Sequence, residues 1–352
     1  MMTKREFALG VAAAFGCAWP AEADEARVRW TADILDQPPA WRRSDQARRM
    51  ADNVLTHQSP EGGWPKNTDL GQPASTDANP GLANTFDNHA TTLPIAFLAQ
   101  MSNATGERRY AEAINRGLNY VLAAQYPNGG WPQFYPLRGG YYDHITFNDD
   151  AMVRVMRLLR DVAAGKEPFA SIDTERQTRA RDAVARGLAL ILDTQVRQQG
   201  RLTAWCAQYD ERTLKPAWAR RFEPPSLSGS ESVGIVRFLM DSPPTPEVVA
   251  AVEGAVAWFE QVALRDVRLE SFTAADGQPD RRLVATPGAE RLWARFYDLE
   301  TNRPIYMGRE AVVRENLADI ERERRAGYAY VGAWPLTLLQ TTYPRWRAAR
   351  PG

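Results

Sequence analysis

Gln58-Ser59-Pro60-Glu61-Gly62-Gly63-Trp64-Pro65 returns 67 residues later as Gln125-Tyr126-Pro127-Asn128-Gly129-Gly130-Trp131-Pro132. Each copy follows a helical pattern, residues 47–57 and 110–124, in which apolar side chains recur at helical spacing. Downstream, Thr85-Phe86-Asp87-Asn88-His89-Ala90 is echoed by Thr146-Phe147-Asn148-Asp149-Asp150-Ala151, and another helical pattern follows each. A third, degenerate copy runs from Gln195 through Trp205 to Ser226-Leu227-Ser228-Gly229-Ser230-Glu231. The unit is therefore helix, Gly/Trp/Pro loop, polar loop, helix. One such unit cannot bury its apolar face alone, so copies must stack.

This pattern predicts an all-α fold, an α/α toroid of three repeated helical hairpins closed around a common axis, with long functional loops. Loops of one kind then share a rim, which collects Asp87, Asn88, Asp149 and Asp150. An open α-solenoid is the alternative, disfavoured by loops this long. Further helices are expected at 246–264, 312–325 and 334–347, and the best strand candidates are 268–273 and 291–299. Gly-Gly-Trp-Pro itself reads as structural: glycine for unusual backbone angles, proline to stop the helix, tryptophan to plug the hairpin. The differing tails, Lys66-Asn67 in one copy and Phe134-Tyr135 in the other, read as site residues.

Working outward, the N-terminus is set apart from the fold. Lys4 and Arg5 precede an apolar run from Phe7 to Ala18, and Ala21-Glu22-Ala23 supplies a cleavage site. That is a secretory signal over residues 1–23, too short in its apolar part to span a bilayer. A single catalytic domain is expected over 24–352, exported to the periplasm or the medium, with no membrane attachment after signal cleavage. Cys206 is then the one cysteine left, so no intramolecular disulfide can form.

Charge excludes a second class of function. The 352-residue chain carries 43 basic and 43 acidic residues, without the basic excess of a nucleic-acid groove. Only four of the basic residues are lysines, so cationic tasks fall mainly to arginine. Two Cys and three His rule out a thiolate zinc cluster and leave little for a histidine metal site.

The polar motifs sit at loops or helix starts: Lys66-Asn67, Asp87-Asn88, Asn148-Asp149-Asp150, the stretch from Arg220 to Glu231, and Arg295 with Arg309. A single Asp in such a place is more often an N-cap, and Ser228 with Glu231 fits a capping box. Convergence tilts the balance: two carboxylate loops with several Arg and one Lys on one rim. Oxygen donors from Asp and Asn suit a hard cation such as Ca²⁺, and Arg suits a substrate that is itself a carboxylate.

Six motifs in order resemble the pectate lyases of polysaccharide lyase family 10: Trp64-Pro65-Lys66-Asn67, Thr85-Phe86-Asp87-Asn88, Trp131-Pro132-Gln133-Phe134-Tyr135-Pro136, Phe147-Asn148-Asp149-Asp150, Ala219-Arg220 through Ser232, and Ala294-Arg295-Phe296-Tyr297-Asp298 with Arg303-Pro304. The resemblance spans residues 40 to 347. It implies a toroid of three hairpins and calcium-assisted β-elimination of polygalacturonate, giving 4,5-unsaturated products. Carried over by motif, Arg220 is the base that takes the C5 proton. Asp87 and Asp149 hold Ca²⁺, and Lys66, Asn67, Asn88, Arg295 and Arg309 contact substrate. Two departures stand out: His89 and Ala311 occupy places where the family usually has glycine, the second within Glu310-Ala311 for Asp-Gly. The rival readings are an inverting glycoside hydrolase using paired carboxylates, a non-catalytic pectin-binding protein, and a triterpene cyclase suggested by the Trp repeats.

Overall fold

The computed structural model describes residues 28–350, so the signal expected at 1–23 lies outside the described residues. The chain is mostly helical. Seven helices carry the fold: α1 (Asp45–Thr56), α2 (Thr92–Thr105), α3 (Arg108–Ala123), α4 (Ala151–Ala163), α5 (Thr174–Thr194), α6 (Glu231–Met240) and α7 (Pro246–Val262). Their starts are written in the sequence. Ser44, Asp173 and Thr245 each accept a hydrogen bond from a backbone N–H in the first turn of α1, α5 and α7, and Gly106 closes α2 in the left-handed conformation.

The helices pack in two rows. α1, α3, α5 and α7 touch in succession in one row; α2, α4 and α6 do so in the other. Short connections join the rows, as α2 packs on α3, α4 on α5 and α6 on α7. One apolar core runs between the rows, with Trp64, Trp131 and Trp205 wholly buried in it.

The repeated loop is a device with named bonds. Trp64 Nε1 donates to the Val54 carbonyl at 2.9 Å, Trp131 to Val121 at 2.9 Å and Trp205 to Ile191 at 2.7 Å. Each indole thus ties its loop to the helix before it. The glutamine opening the motif ties the loop to the next unit. Gln58 Nε2 donates to Ala113 O in α3, Gln125 to Ala183 O in α5, and Gln195 to Ala251 O in α7, each at 2.9 Å. Gly62 and Gly129 have φ of 106° and 98°, and a Cβ on either would stand within 2.5 Å of a carbonyl of the following helix. These glycines are structural, as expected.

A fourth tryptophan, which the sequence reading did not include, plays the same part. Trp293 Nε1 donates to Phe259 O at 2.8 Å, 34 residues away, because a β-hairpin intervenes. That hairpin pairs β1 (Val267–Thr273) with β2 (Pro279–Ala285), antiparallel, so the strand candidate at 268–273 does pair. The candidate at 291–299 breaks into two-residue ladders. The helix expected at 312–325 contracts to α8 (Arg322–Gly327), because Val312 and Val313 point to solvent. At 334–347 the chain forms a π-turn over Leu338–Thr342 and then α9 (Tyr343–Ala348). A second small core lies under this part, from Phe222 to Val331. No helix of the described residues is long and apolar enough to cross a membrane.

Candidate active site

The two polar loops end in matching turns. Asn88 and His89 have φ of 50° and 63°; Asp149 and Asp150 have 50° and 59°. Two consecutive left-handed residues are rare outside glycine. By this geometry Asn88 is the counterpart of Asp149, and Asp87 the counterpart of Asn148. The turns lie side by side, and their carboxylates do different work.

Asp87 is buried. Its Oδ2 accepts from Lys66 Nζ at 2.6 Å and from Gln133 Nε2 at 2.9 Å, while its Oδ1 is buried without a partner. Asp149 is more open, with 39% of its side chain exposed. Its Oδ1 accepts from Arg295 Nη2 at 2.9 Å and its Oδ2 from Asn148 Nδ2 at 2.9 Å. Neither carboxylate caps a helix, since α2 and α4 begin without a side-chain cap. Asn67, itself left-handed, accepts from Asn88 Nδ2 at 3.0 Å, which joins the first Gly/Trp/Pro loop to the Asp87 turn.

Arg295 is the hub. Its Nη2 reaches Asp149 and Glu231, and its guanidinium lies 5.0 Å from the Tyr328 ring. Burial opposes its charge, but Glu231, Tyr328 and Asp149 outweigh that cost and hold it well above its ordinary pKa. Glu231 also accepts from Ser228 Oγ, whose oxygen receives the Glu231 backbone N–H at 3.0 Å. Only half of the expected capping box forms: Ser228 N–H goes to Trp205 O, and the Glu231 carboxylate turns to the Ser228 hydroxyl and Arg295.

Arg220 also lies against Tyr328, 5.6 Å from the ring. Its Nε donates to Glu223 Oε2 at 2.8 Å and its Nη2 to Oε1. Tyr328 Oη donates to the same Oε1 at 2.8 Å. Arg309 is exposed and paired with Glu323 through two bonds of 2.8 Å; it joins the site edge only through the Phe222 ring, which Arg220 also overlies. Lys66, Asn67, Asp87, Asn88, Asp149 and Arg295 are thus linked by contacts. Arg220 connects to them through Tyr328, and Arg309 lies at the margin. Gln133, Glu223 and Tyr328 were missed. Gln133 was legible, as the counterpart of Lys66 two residues after the tryptophan.

His89 is packed against the site, and burial, then repulsion from Arg154, push its pKa down to about 4, so it is neutral at neutral pH. His144, Asp210 and Glu211 bring three potential ligand atoms within 4.8 Å of one another. Asp210 accepts the N–H of Arg212 and Thr213, and His144 Nδ1 lies 3.3 Å from Glu211 Oε2, which accounts for the group as a turn and a hydrogen bond.

The family model of pectic acid lyases matches residues 49–339. The chain belongs to the pectic acid lyase family. Two solved structures are similar to it. One is an aspartate-to-alanine variant of a family 10 polysaccharide lyase from Cellvibrio cellulosa in complex with trigalacturonic acid, 34% identical, with a TM-score of 0.76 over 90% of this chain and 99% of that one. The other is the family 10 polysaccharide lyase from the same organism, also 34% identical with a TM-score of 0.76, over 90% and 98% of the two chains. No curated protein matches the chain. The enzyme is a lyase, and the hydrolase, cyclase and binding-protein readings fall away.

Proposed function

We propose that this lyase cleaves polygalacturonate by β-elimination, with Ca²⁺ as cofactor and Arg220 as the base. The observation that carries the reading is the Arg295 cluster: a buried guanidinium spanning from the Asp149 turn to Tyr328, with Arg220 against the same ring. The difficulty of the reaction is charge. Removing the C5 proton beside a carboxylate builds a second negative charge on an anion, so cations must be in place before it develops. Arg295 and Lys66 are fixed cations of that kind, and Arg309 adds one at the edge.

The two turns fit a calcium ion. The side chains of Asp87, Asn88, Asn148 and Asp149 offer oxygens, and Asp87 Oδ1 is buried with no partner of its own. Asp87 and Asp149 would hold the ion, which when bound supplies positive charge to the uronate carboxylate. Arg220 commits Nε and Nη2 to Glu223, so Nη1 is the nitrogen left to meet C5. Arg220 acts in its neutral form, after giving up a proton to solvent: the C5 proton passes to Nη1, the electron pair forms the 4,5 double bond as the bond to the 4-O-linked sugar breaks, and the departing oxygen takes a proton from water. Asn67 and Asn88 contact substrate beside Lys66. The hairpins curl as a toroid in this reading, and residues 24–352 form one catalytic domain exported to the periplasm or the medium.

The test is polygalacturonate with calcium, followed by ultraviolet absorbance of the conjugated product, with and without chelator. Absorbance that rises only with calcium is the expected result. Chain cleavage without absorbance would refute elimination.

A further inference from the structure

The Asp149–Arg295 contact opens on a cavity of about 400 Å³ between α4 and α6, which those two residues and Asn88 also line. Its walls carry Arg154 and Arg157 from α4, Arg237 from α6, and Trp334. Arg154, Arg157 and Arg237 form no ion pair within 4.0 Å among the described residues. Arg157 donates weakly to Gly234 O, and its Nε is buried without a partner. Arg154 reaches only the Asp149 carbonyl. Arg237 has no hydrogen-bond partner among the described residues. The acids that share the cavity satisfy them only in part. Asp149 and Glu231 are taken by Arg295, and Asp150, packed against Gly234, is the main counter-charge to Arg154 and Arg157 but pairs with neither within 4.0 Å.

Three partly desolvated guanidiniums facing one cavity are a costly arrangement unless an anion visits it. Burial pushes Arg154 and Arg157 below their ordinary pKa, in keeping with that cost. A planar guanidinium fork matches a carboxylate, and an indole wall suits a pyranose ring.

We propose that this cavity is a further subsite of the cleft, in which Arg154, Arg157 and Arg237 receive the carboxylate of a second galacturonate on the same polymer and Trp334 lies against its ring. The proposal rests on the polygalacturonate reading above. Every sugar of that polymer carries a carboxylate, so a chain gripped at Arg295 offers another to this cavity.

The experiment is steady-state kinetics on polygalacturonate with calcium, together with melting temperatures, for the unaltered protein and for Arg157→Gln, Arg237→Gln and Arg237→Lys. The two glutamine variants are expected to raise KM about tenfold, the scale of one lost charge-assisted bond, with the loss carried by KM rather than kcat. Arg237→Lys recovers part of it. Neither glutamine variant lowers the melting temperature, because an unpaired half-buried cation has been removed. Arg160→Gln, one turn along α4 and paired with Asp241, leaves KM where it was. Unchanged KM in the cavity variants would overturn the subsite, and so would a fall in melting temperature, which would make these arginines counter-ions for Asp150. Inactivity of the unaltered protein would instead bring down the substrate reading, and this proposal with it.

Discussion

Glu223 holds Arg220 by two parallel hydrogen bonds and is itself held by Tyr328. The hydrogen-bonded carboxylate raises Arg220 well above its ordinary pKa, despite burial that works the other way. The free enzyme therefore carries its base as a cation, and the rate should climb with pH across the alkaline range. Glu223→Gln removes the anion and should move the acid limb of kcat/KM to lower pH. Arg220→Ala should abolish turnover while calorimetry still detects trigalacturonate binding. An acid limb that stays in place in Glu223→Gln would assign the proton to another group.

The carboxylates of the two turns should differ on mutation. Asp87→Ala leaves Lys66, with 18% of its side chain exposed, as a buried cation without its partner. Breaking such a pair costs about 3 kcal/mol, so the melting temperature should drop clearly. Asp149 is more exposed, and Arg295 retains Glu231, so Asp149→Ala should cost less than about 1 kcal/mol. Thermal unfolding without calcium compares the two directly.

Calcium and sugar should bind together. Few protein oxygens are available in the turns, so substrate and water must complete a shell of roughly six to eight. In the Arg220→Ala protein, calcium affinity should rise when trigalacturonate is present, and Asp149→Ala should remove that coupling. Equal calcium affinity with and without sugar, measured by calorimetry, would contradict a shared site.

Ala311 has φ of 61°, the left-handed region. The family's glycine is comfortable there, whereas alanine costs roughly 1–2 kcal/mol. Part of any gain is lost to the greater freedom of glycine in the unfolded chain. Ala311→Gly should therefore stabilise by about 0.5–1 kcal/mol in urea denaturation. His89 sits in the same left-handed conformation, where glycine would also be at ease.

The repeat was legible because its bonds demand particular residues: only a glutamine reaches both loop and next helix, and only glycine tolerates the carbonyl against Gly62 and Gly129. Trp293 was hidden because β1 and β2 separate it from Phe259, so no fixed period points to it. The Asp87 and Asp149 loops were correctly paired; the one-residue offset of the two carboxylates stands in the aligned motifs, and the matching backbone angles bear it out. Tyr328 lies 105 residues from Glu223, and nothing near either one in sequence announces the contact. Arg309 was named from its motif, yet its guanidinium is turned to Glu323.

The glutamine ties run one way, from each hairpin to the one that follows: Gln58 to Ala113, Gln125 to Ala183, Gln195 to Ala251. Each middle hairpin therefore carries a plug for its successor, the glutamine, and a socket for its predecessor, the helix carbonyl. A unit copied in tandem would arrive with both halves of the joint already made, so lengthening the array by duplication would require no new residue at the seam. The polar turn would be copied too, and with it a fresh pair of left-handed positions free to diverge, as Asn88 and Asp149 have done.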